Sequence, residues 1–414
     1  MAEMEQGYID SLIEKAQKAQ KEFESYSQEQ VDAIVKAMGK IIYDNAELIA
    51  KEAVEETGYG RVDSKILKIT RCTTAAWHYP HAKKSVGMID WDPVEKLATY
   101  AKPVGVVAAL VPTTNPVSTT VSNGMSILKC RNAMIVSPHP RAKKTTIHGV
   151  ELINEAIRAA GAPENLVQIV DQPSMAATSE LMTKVDVVVA TGSRSYDNGM
   201  PCTGEQAIHL PADKVEQMKA AFVKQGAYIL SDEDAKKLPG ILFTEKGTTD
   251  PAHVGMLPSH LAKLMGLDIP DSTTLLLFPS QGMTRENMLR REKLCPVVQF
   301  FPYENFEEGV SNAKSNLMWE GKGHSSVVYT NDEDCAKHAA LELPVSRLLV
   351  NQPAGAASGG NFINGLVPTM SLGCGSWGNN SISDNLSYKH LMNTTKLAFY
   401  HDPTIPEAEK VWAE

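Results

Sequence analysis

Cys202 sits in YDNGMPCTGEQAIH, residues 196 to 209, with Gly199 and Gly204 on either side. Glycine neighbours leave room for a substrate to approach and expose backbone N–H groups around the sulfur. A thiol presented in this way is a candidate nucleophile. The competing reading is structural, because free cysteine is among the most buried residue types. The remaining cysteines, Cys72, Cys130, Cys295, Cys335 and Cys374, show no CxxC pairing and no His spacing that would suggest zinc. They read as reduced thiols of a cytoplasmic protein, with no disulfide framework and no metal site.

The elements that would hold Cys202 come from the rest of the chain. Its 414 residues are too many for one ordinary core, so two or three domains are expected. A hydrophobic share of 43% and a charged share of 21% describe a globular protein, and the net charge of −9 argues against a nucleic-acid scaffold. The first twenty residues lack the basic start and apolar run of a signal peptide, and the longest apolar run, near Val104 to Val111, is too short to span a bilayer. Neither a nucleic acid nor a membrane is expected as a partner.

Periodicity predicts an amphipathic N-terminal helix with Ile9, Leu12 and Ile13 on one face. A second helix carries Val31, Ile34, Val35, Met38 and Ile41 behind a Ser27/Gln30 capping box. A third runs through Leu48 to Val54 and stops at Gly58 and Gly60. Residues 61 to 95 are weakly patterned, and the aromatic group Trp77, His78, Tyr79 reads as core. From Leu97 short apolar strands alternate with helices: PVGVVAALVP, helix 117–128, AMIVSP, helix 144–159, LVQIV, helix 175–183, VDVVVATG. That alternation predicts a parallel sheet wrapped by helices, which binds ligands at the carboxyl ends of its strands. The turns PTTNP (112 to 116) and SPHP (137 to 140) lie at such ends. Between Gly192 and YDNG there is no room for a further crossover, which takes a dozen residues or more. After Cys202 the alternation resumes through AIHL, AYILS, TTLLLF, VVQFFP, SSVVYT and SRLLVN, a second α/β domain facing the first across a cleft. A Gly- and Asn-rich tail follows, and NTTKLAFYHDPT reads as an exposed edge strand that would pair with another copy.

AKPVGVVAALVPTTNP, IVSPHPRAKK, VDVVVATG, YDNGMPCTGEQ, EKLCPV, GHSS, PVSRLLVNQP and LGCGSWGNNSIS occur in this order. Together they resemble the CoA-acylating branch of the aldehyde dehydrogenase superfamily, and most closely its succinate semialdehyde dehydrogenases. The resemblance implies an α/β fold: a Rossmann-like dinucleotide-binding domain, an α/β catalytic domain and a small oligomerisation segment. The corresponding boundaries are 1–195, with a segment missing at 192/193, then 196–380 and 381–414. Relatives carry about forty more residues at that junction, a glycine turn, a helix and a strand.

By the same resemblance Cys202 is the nucleophile and Asn115 an oxyanion donor, although Asn115 alone, before a proline, reads as a turn residue. His324 is a candidate general base for the CoA thiol or a nicotinamide neighbour. Glu205 is a candidate proton relay, and equally a strand cap. Glu292 would hold the nicotinamide ribose, against a plain reading as a solvated charge beside Arg290, Arg291 and Lys293. Thr113, Pro138, His139, Pro140, Arg141, Lys144, Thr191 and Gly192 are the other expected dinucleotide contacts. The basic helix start at Arg141 and Lys144 tilts the expectation to NADP over NAD. Arg194 and Ser358 are candidates for an anionic substrate tail. The implied function is the reversible interconversion of a short aldehyde and its acyl-CoA through a cysteine thioester, with NADP or NAD and coenzyme A. Succinate semialdehyde is the first choice, and sulfoacetaldehyde and acetaldehyde are rivals. Hydrolytic aldehyde oxidation and an inactive homologue with a binding role are the remaining alternatives. A homodimer or larger homo-oligomer is expected.

Overall fold

A computed structural model of the chain describes residues 7–191, 203–360 and 362–400. Helix Tyr8–Phe23 buries Ile9, Ile13, Ala16, Ala19 and Phe23 along one stripe. Ser27 caps helix Gln28–Asp44: its hydroxyl accepts from the Gln30 N–H, while the Gln30 side chain accepts from the Ser27 N–H. Helix Ala46–Thr57 stops at Gly58, whose φ of 68° suits a residue without Cβ.

The stretch 61–95 corrects the sequence reading. It holds a 17-residue helix, Val62–His78, and the strand Gly87–Asp92. The helix gives little periodic signal because its buried side is Lys65, Ile69, Thr73, Ala75 and Ala76, mostly polar or small. Trp77 is half-buried and packs against the edge of the core, Tyr79 is half-buried and His78 is exposed, so the group borders the core without being inside it.

The first sheet is parallel, in the spatial order Val167–Ile169, Ala133–Pro138, Val106–Val111, Val187–Ala190. The two central strands are buried almost throughout, as strands covered by helices on both faces must be. In chain order this reads third, second, first, fourth, so the direction of winding reverses between Val106–Val111 and Val187–Ala190. That reversal opens a crevice at their carboxyl ends. Helix Pro116–Lys129 leaves this crevice and is buried on nearly every side. Strand Ala207–Pro211 opens a second parallel sheet instead of adding a fifth strand to the first. The order there is Ala207–Pro211, Val297–Tyr303, Leu275–Pro279, Ala227–Ile229. Strands Gly323–Val328 and Val345–Val350 form a separate parallel pair.

An antiparallel sheet joins Gly87–Asp92, Leu97–Pro103 and Met392–Ala398. The last of these is exposed beyond its first residue and pairs along one edge. Among the described residues no helix is long and apolar enough to cross a membrane, and no His, Cys, Asp and Glu group could hold a metal ion.

Candidate active site

The crevice between the first and fourth strands is walled by the turn after Val111. Thr113, Thr114 and Asn115 are buried there, Asn115 at 3% exposure. The helix Val62–His78 lays two lysines three residues apart against this turn. Lys65 donates to the Thr114 carbonyl at 2.8 Å and Lys68 to Asn115 Oδ1 at 3.3 Å. Asn115 stands at the N-cap of helix Pro116–Lys129 without capping it. An ammonium on the amide oxygen draws electron density from Nδ2, which makes that nitrogen a better donor. Across the crevice Asn123 Nδ2 donates to Thr191 Oγ1 at 3.2 Å. Ser371 donates to Asn123 Oδ1 at 2.7 Å and also bonds the Thr191 hydroxyl. The loop before the C-terminal strand is thereby fastened over the crevice.

Cys202, Arg194 and Gly192, with the expected break at 192/193, lie outside the described residues. The residues just after Cys202 are held from two sides. Glu205 Oε1 accepts from the Ala354 N–H at 3.0 Å and so caps the turn Ala354–Ala357. Gln206 Oε1 accepts from the Lys293 N–H at 3.0 Å. The Lys293 ammonium is 1% exposed and donates to three carbonyls, Gln206 at 3.0 Å, Leu289 at 2.8 Å and Arg291 at 3.1 Å. Burial pushes it down to about 8. Glu292, half-buried next to it, gives its N–H to Glu320 Oε2 at 2.8 Å.

His324 lies on strand Gly323–Val328. Burial, and then the Arg347 charge, push its imidazole down to about 4. Arg347 Nη1 reaches Asn385 Oδ1 at 3.3 Å, and Asn385 Nδ2 donates to the Ser358 carbonyl at 3.0 Å. Ser358 is fully buried, and its hydroxyl has no hydrogen-bond partner among the described residues. Glu205, Ser358 and His324, scattered in sequence, therefore belong to one polar network. The Gly359 carbonyl accepts from the Thr369 N–H at 2.7 Å, which ties this network to the loop fastened over the crevice.

The expected adenosine end carries a carboxylate as well as basic groups. Pro138 ends its strand, and Pro140 begins the short turn Pro140–Ala142. His139 Nδ1 accepts from the Arg141 N–H at 3.1 Å. Arg141 Nη1 donates to the Tyr59 hydroxyl at 2.6 Å. The N-terminus of helix Lys143–Ala159 is occupied by Glu56, which accepts from Lys144 N at 2.7 Å, Thr145 N at 2.8 Å and Thr145 Oγ1 at 2.7 Å. Sequence reasoning missed Lys65, Lys68, Glu56, Arg347 and Lys293.

None of the other thiols is an easily ionised one. Burial pushes Cys72, Cys130 and Cys295 up to about 12. Desolvation also raises Cys335 and Cys374 above the ordinary thiol value.

The aldehyde dehydrogenase family model matches residues 1–209. The chain is 41% identical to the succinate-semialdehyde dehydrogenase (acetylating) of Clostridium kluyveri, covering 98% of each chain. It is 32% identical to a sulfoacetaldehyde dehydrogenase of Acholeplasma sp, covering 98% of this chain and 94% of that one. The first alignment spans 448 positions against 414 residues here, so that relative holds residues without a counterpart in this chain. Among solved structures, an acetylating aldehyde dehydrogenase from Geobacillus thermoglucosidasius superposes with a TM-score of 0.91 at 30% identity, covering 96% of this chain and 98% of that one.

Proposed function

Because this chain belongs to the aldehyde dehydrogenase family, and is a CoA-acylating member of it, we propose that its substrate is a short aldehyde with an anionic tail, succinate semialdehyde first among them. The observation that carries this reading is the Lys68 ammonium 3.3 Å from Asn115 Oδ1, a cation beside the amide assigned to the oxyanion. A carboxylate a few bonds from the aldehyde carbon would reach that cation when the carbonyl oxygen lies on Asn115. An uncharged aldehyde offers it nothing.

The reaction follows from the chain's own groups. The Cys202 thiolate adds to the aldehyde carbon, and the negative charge that grows on oxygen is met by the Asn115 amide and the Cys202 N–H. Nicotinamide dinucleotide, NAD(P), supplies the hydride acceptor when bound. The crevice where the first sheet reverses, flanked by Thr113 and Thr191, fits such a group. Loss of hydride leaves the acyl group as a thioester on Cys202. The CoA thiolate then attacks the acyl carbon and the Cys202 thiolate leaves. Lys293 and Ala354 hold Gln206 and Glu205, so they fix the downstream end of the nucleophile's turn. Glu292 serves the ribose and His324 the CoA step. The exposed strand Met392–Ala398, with one edge unpaired among the described residues, serves a homo-oligomeric contact.

The test of the substrate is a panel of succinate semialdehyde, sulfoacetaldehyde, acetaldehyde and propionaldehyde, each with CoA and followed by nicotinamide reduction, in wild type and Lys68→Met. The substitution should lower kcat/KM for the anionic aldehydes about 10- to 100-fold more than for the neutral ones, the worth of one charged hydrogen bond. Equal losses across the panel would rule out an anion contact at Lys68.

Glu56 bears on the dinucleotide. A 2′-phosphate brought to the start of helix Lys143–Ala159 would meet a carboxylate already bonded to the helix amides, which favours NAD over the NADP expected from the basic residues. Glu56→Gln should raise the NADP/NAD ratio of kcat/KM by roughly five- to tenfold, at about 1 kcal/mol of stability for the weakened cap. An unchanged ratio, with the melt lowered as expected, would remove Glu56 from cofactor choice.

A further inference from the structure

Arg347, on strand Val345–Val350, is 3% exposed. A guanidinium this deep must place its donors on acceptors, and it has no acceptor of its own. Nη2 donates to the His324 carbonyl at 3.1 Å and to that of Gly323 at 3.5 Å. Nη1 reaches Asn385 Oδ1 and the Ser383 carbonyl. Nε donates to Ser325 Oγ at 3.2 Å, directly across the strand pair, since Ser325 and Arg347 are register partners. The Ser325 hydroxyl is in turn 3.1 Å from His324 Nδ1.

The chain of donors favours one direction for that last bond. Arg347 Nε can only donate, so Ser325 Oγ receives there and still has its own proton to place. Among the described residues its remaining hydrogen-bond partner is His324 Nδ1, and a half-buried hydroxyl proton left without an acceptor is costly. An Nδ1 that accepts leaves the ring's single proton on Nε2. The charged and titratable groups around the imidazole agree with a neutral ring. Arg347 faces it from the neighbouring strand, and the Cys374 thiol, raised above its ordinary value by desolvation, comes from the loop packed on Gly323.

We propose that Arg347 and Ser325 are positioning residues that hold His324 in its neutral Nε2–H tautomer, so that this histidine gives a hydrogen bond in the CoA step and does not take the thiol proton. The inference rests on the proposed place of His324 in that step. The CoA thiol then loses its proton to bulk water before attack. The thiolate forms the new carbon–sulfur bond, and the Cys202 thiolate leaves with the electron pair of the old one.

The test has two readouts on the whole enzyme. The first is the side-chain ¹⁵N spectrum of ¹⁵N-histidine-labelled protein at about pH 7.5, with His324 assigned by its loss in His324→Gln. Protonated Nε2 with bare Nδ1 is expected in wild type, and a mixture of tautomers in Ser325→Ala. The second is the pH dependence of CoA attack on preformed acyl-enzyme, expected to rise with a single ionisation near about 8.5 and to show no step near about 6.5. Ser325→Ala should slow this step about tenfold at unchanged KM for CoA, and Ser325→Thr should restore it. Arg347→Lys, which removes the Nε donor to Ser325 and keeps the buried charge, should give the same mixture as Ser325→Ala. A proton on Nδ1, or a step near 6.5 that vanishes in His324→Gln, overturns the proposal. A normal CoA step in His324→Gln instead refutes the role of His324, while the ¹⁵N spectrum still decides the tautomer.

Discussion

Cys202→Ala is expected to yield a folded protein with no aldehyde-dependent nicotinamide reduction, a loss of at least about 10⁴ in kcat. The size of the effect follows from the other thiols. Three are pushed up to about 12 by burial and two more are raised, so each is a poorer thiolate than an ordinary cysteine and a weak replacement for Cys202. Retention of the fold follows from the anchors just after the cysteine, which do not involve it: Gln206 held by Lys293, and Glu205 on Ala354. The measurement is turnover with CoA, paired with iodoacetamide labelling and mass analysis. One alkylated thiol should accompany inactivation of the wild type, and the variant should resist labelling on the same timescale. Activity near wild type in Cys202→Ala would place the acyl intermediate on another residue.

Asn115→Ala is expected to cost about 10² to 10³ in kcat, the measured range for removing one oxyanion donor. The side chain is 3% exposed and does not cap its helix, so the substitution leaves the first turn of helix Pro116–Lys129 with its existing backbone arrangement. The melting temperature should move by only a few degrees while kcat collapses. Single-turnover measurement of hydride transfer separates this from slow product release. A variant with normal hydride transfer would show that the Asn115 amide does not touch the oxyanion, and that its bond to Lys68 serves the fold alone.

Asn115 and Lys68 illustrate how differently two partners can be read from a chain. Asn115 stands in a turn at the end of an apolar strand, and a strand-turn-helix is local: alternation, turn residues and a proline at the helix start announce it within a few residues. Lys68 sits on a helix that periodicity did not detect, because what that helix buries is Lys65, Thr73 and two alanines with Ile69 the one large apolar side chain. A buried lysine looks the same in sequence as a solvated one. Only the carbonyl of Thr114 and the amide of Asn115, nearly fifty residues away, turn the two lysines into part of a site.

The same distinction runs through the whole molecule. The parallel strands, the capping box at Ser27, the stop at Gly58 and the resemblance carried by YDNGMPCTGEQ and GHSS are properties of short segments, and the residues alone determined them. The tertiary structure decided which charges are buried and what each one meets. Glu56 sits on the helix start expected to welcome a phosphate, Lys293 holds the residues after Cys202, and Arg347 binds three distant motifs together. The physical reason is that backbone periodicity is set by neighbours along the chain. The state of a charge is set by its depth and by partners that only folding brings within reach.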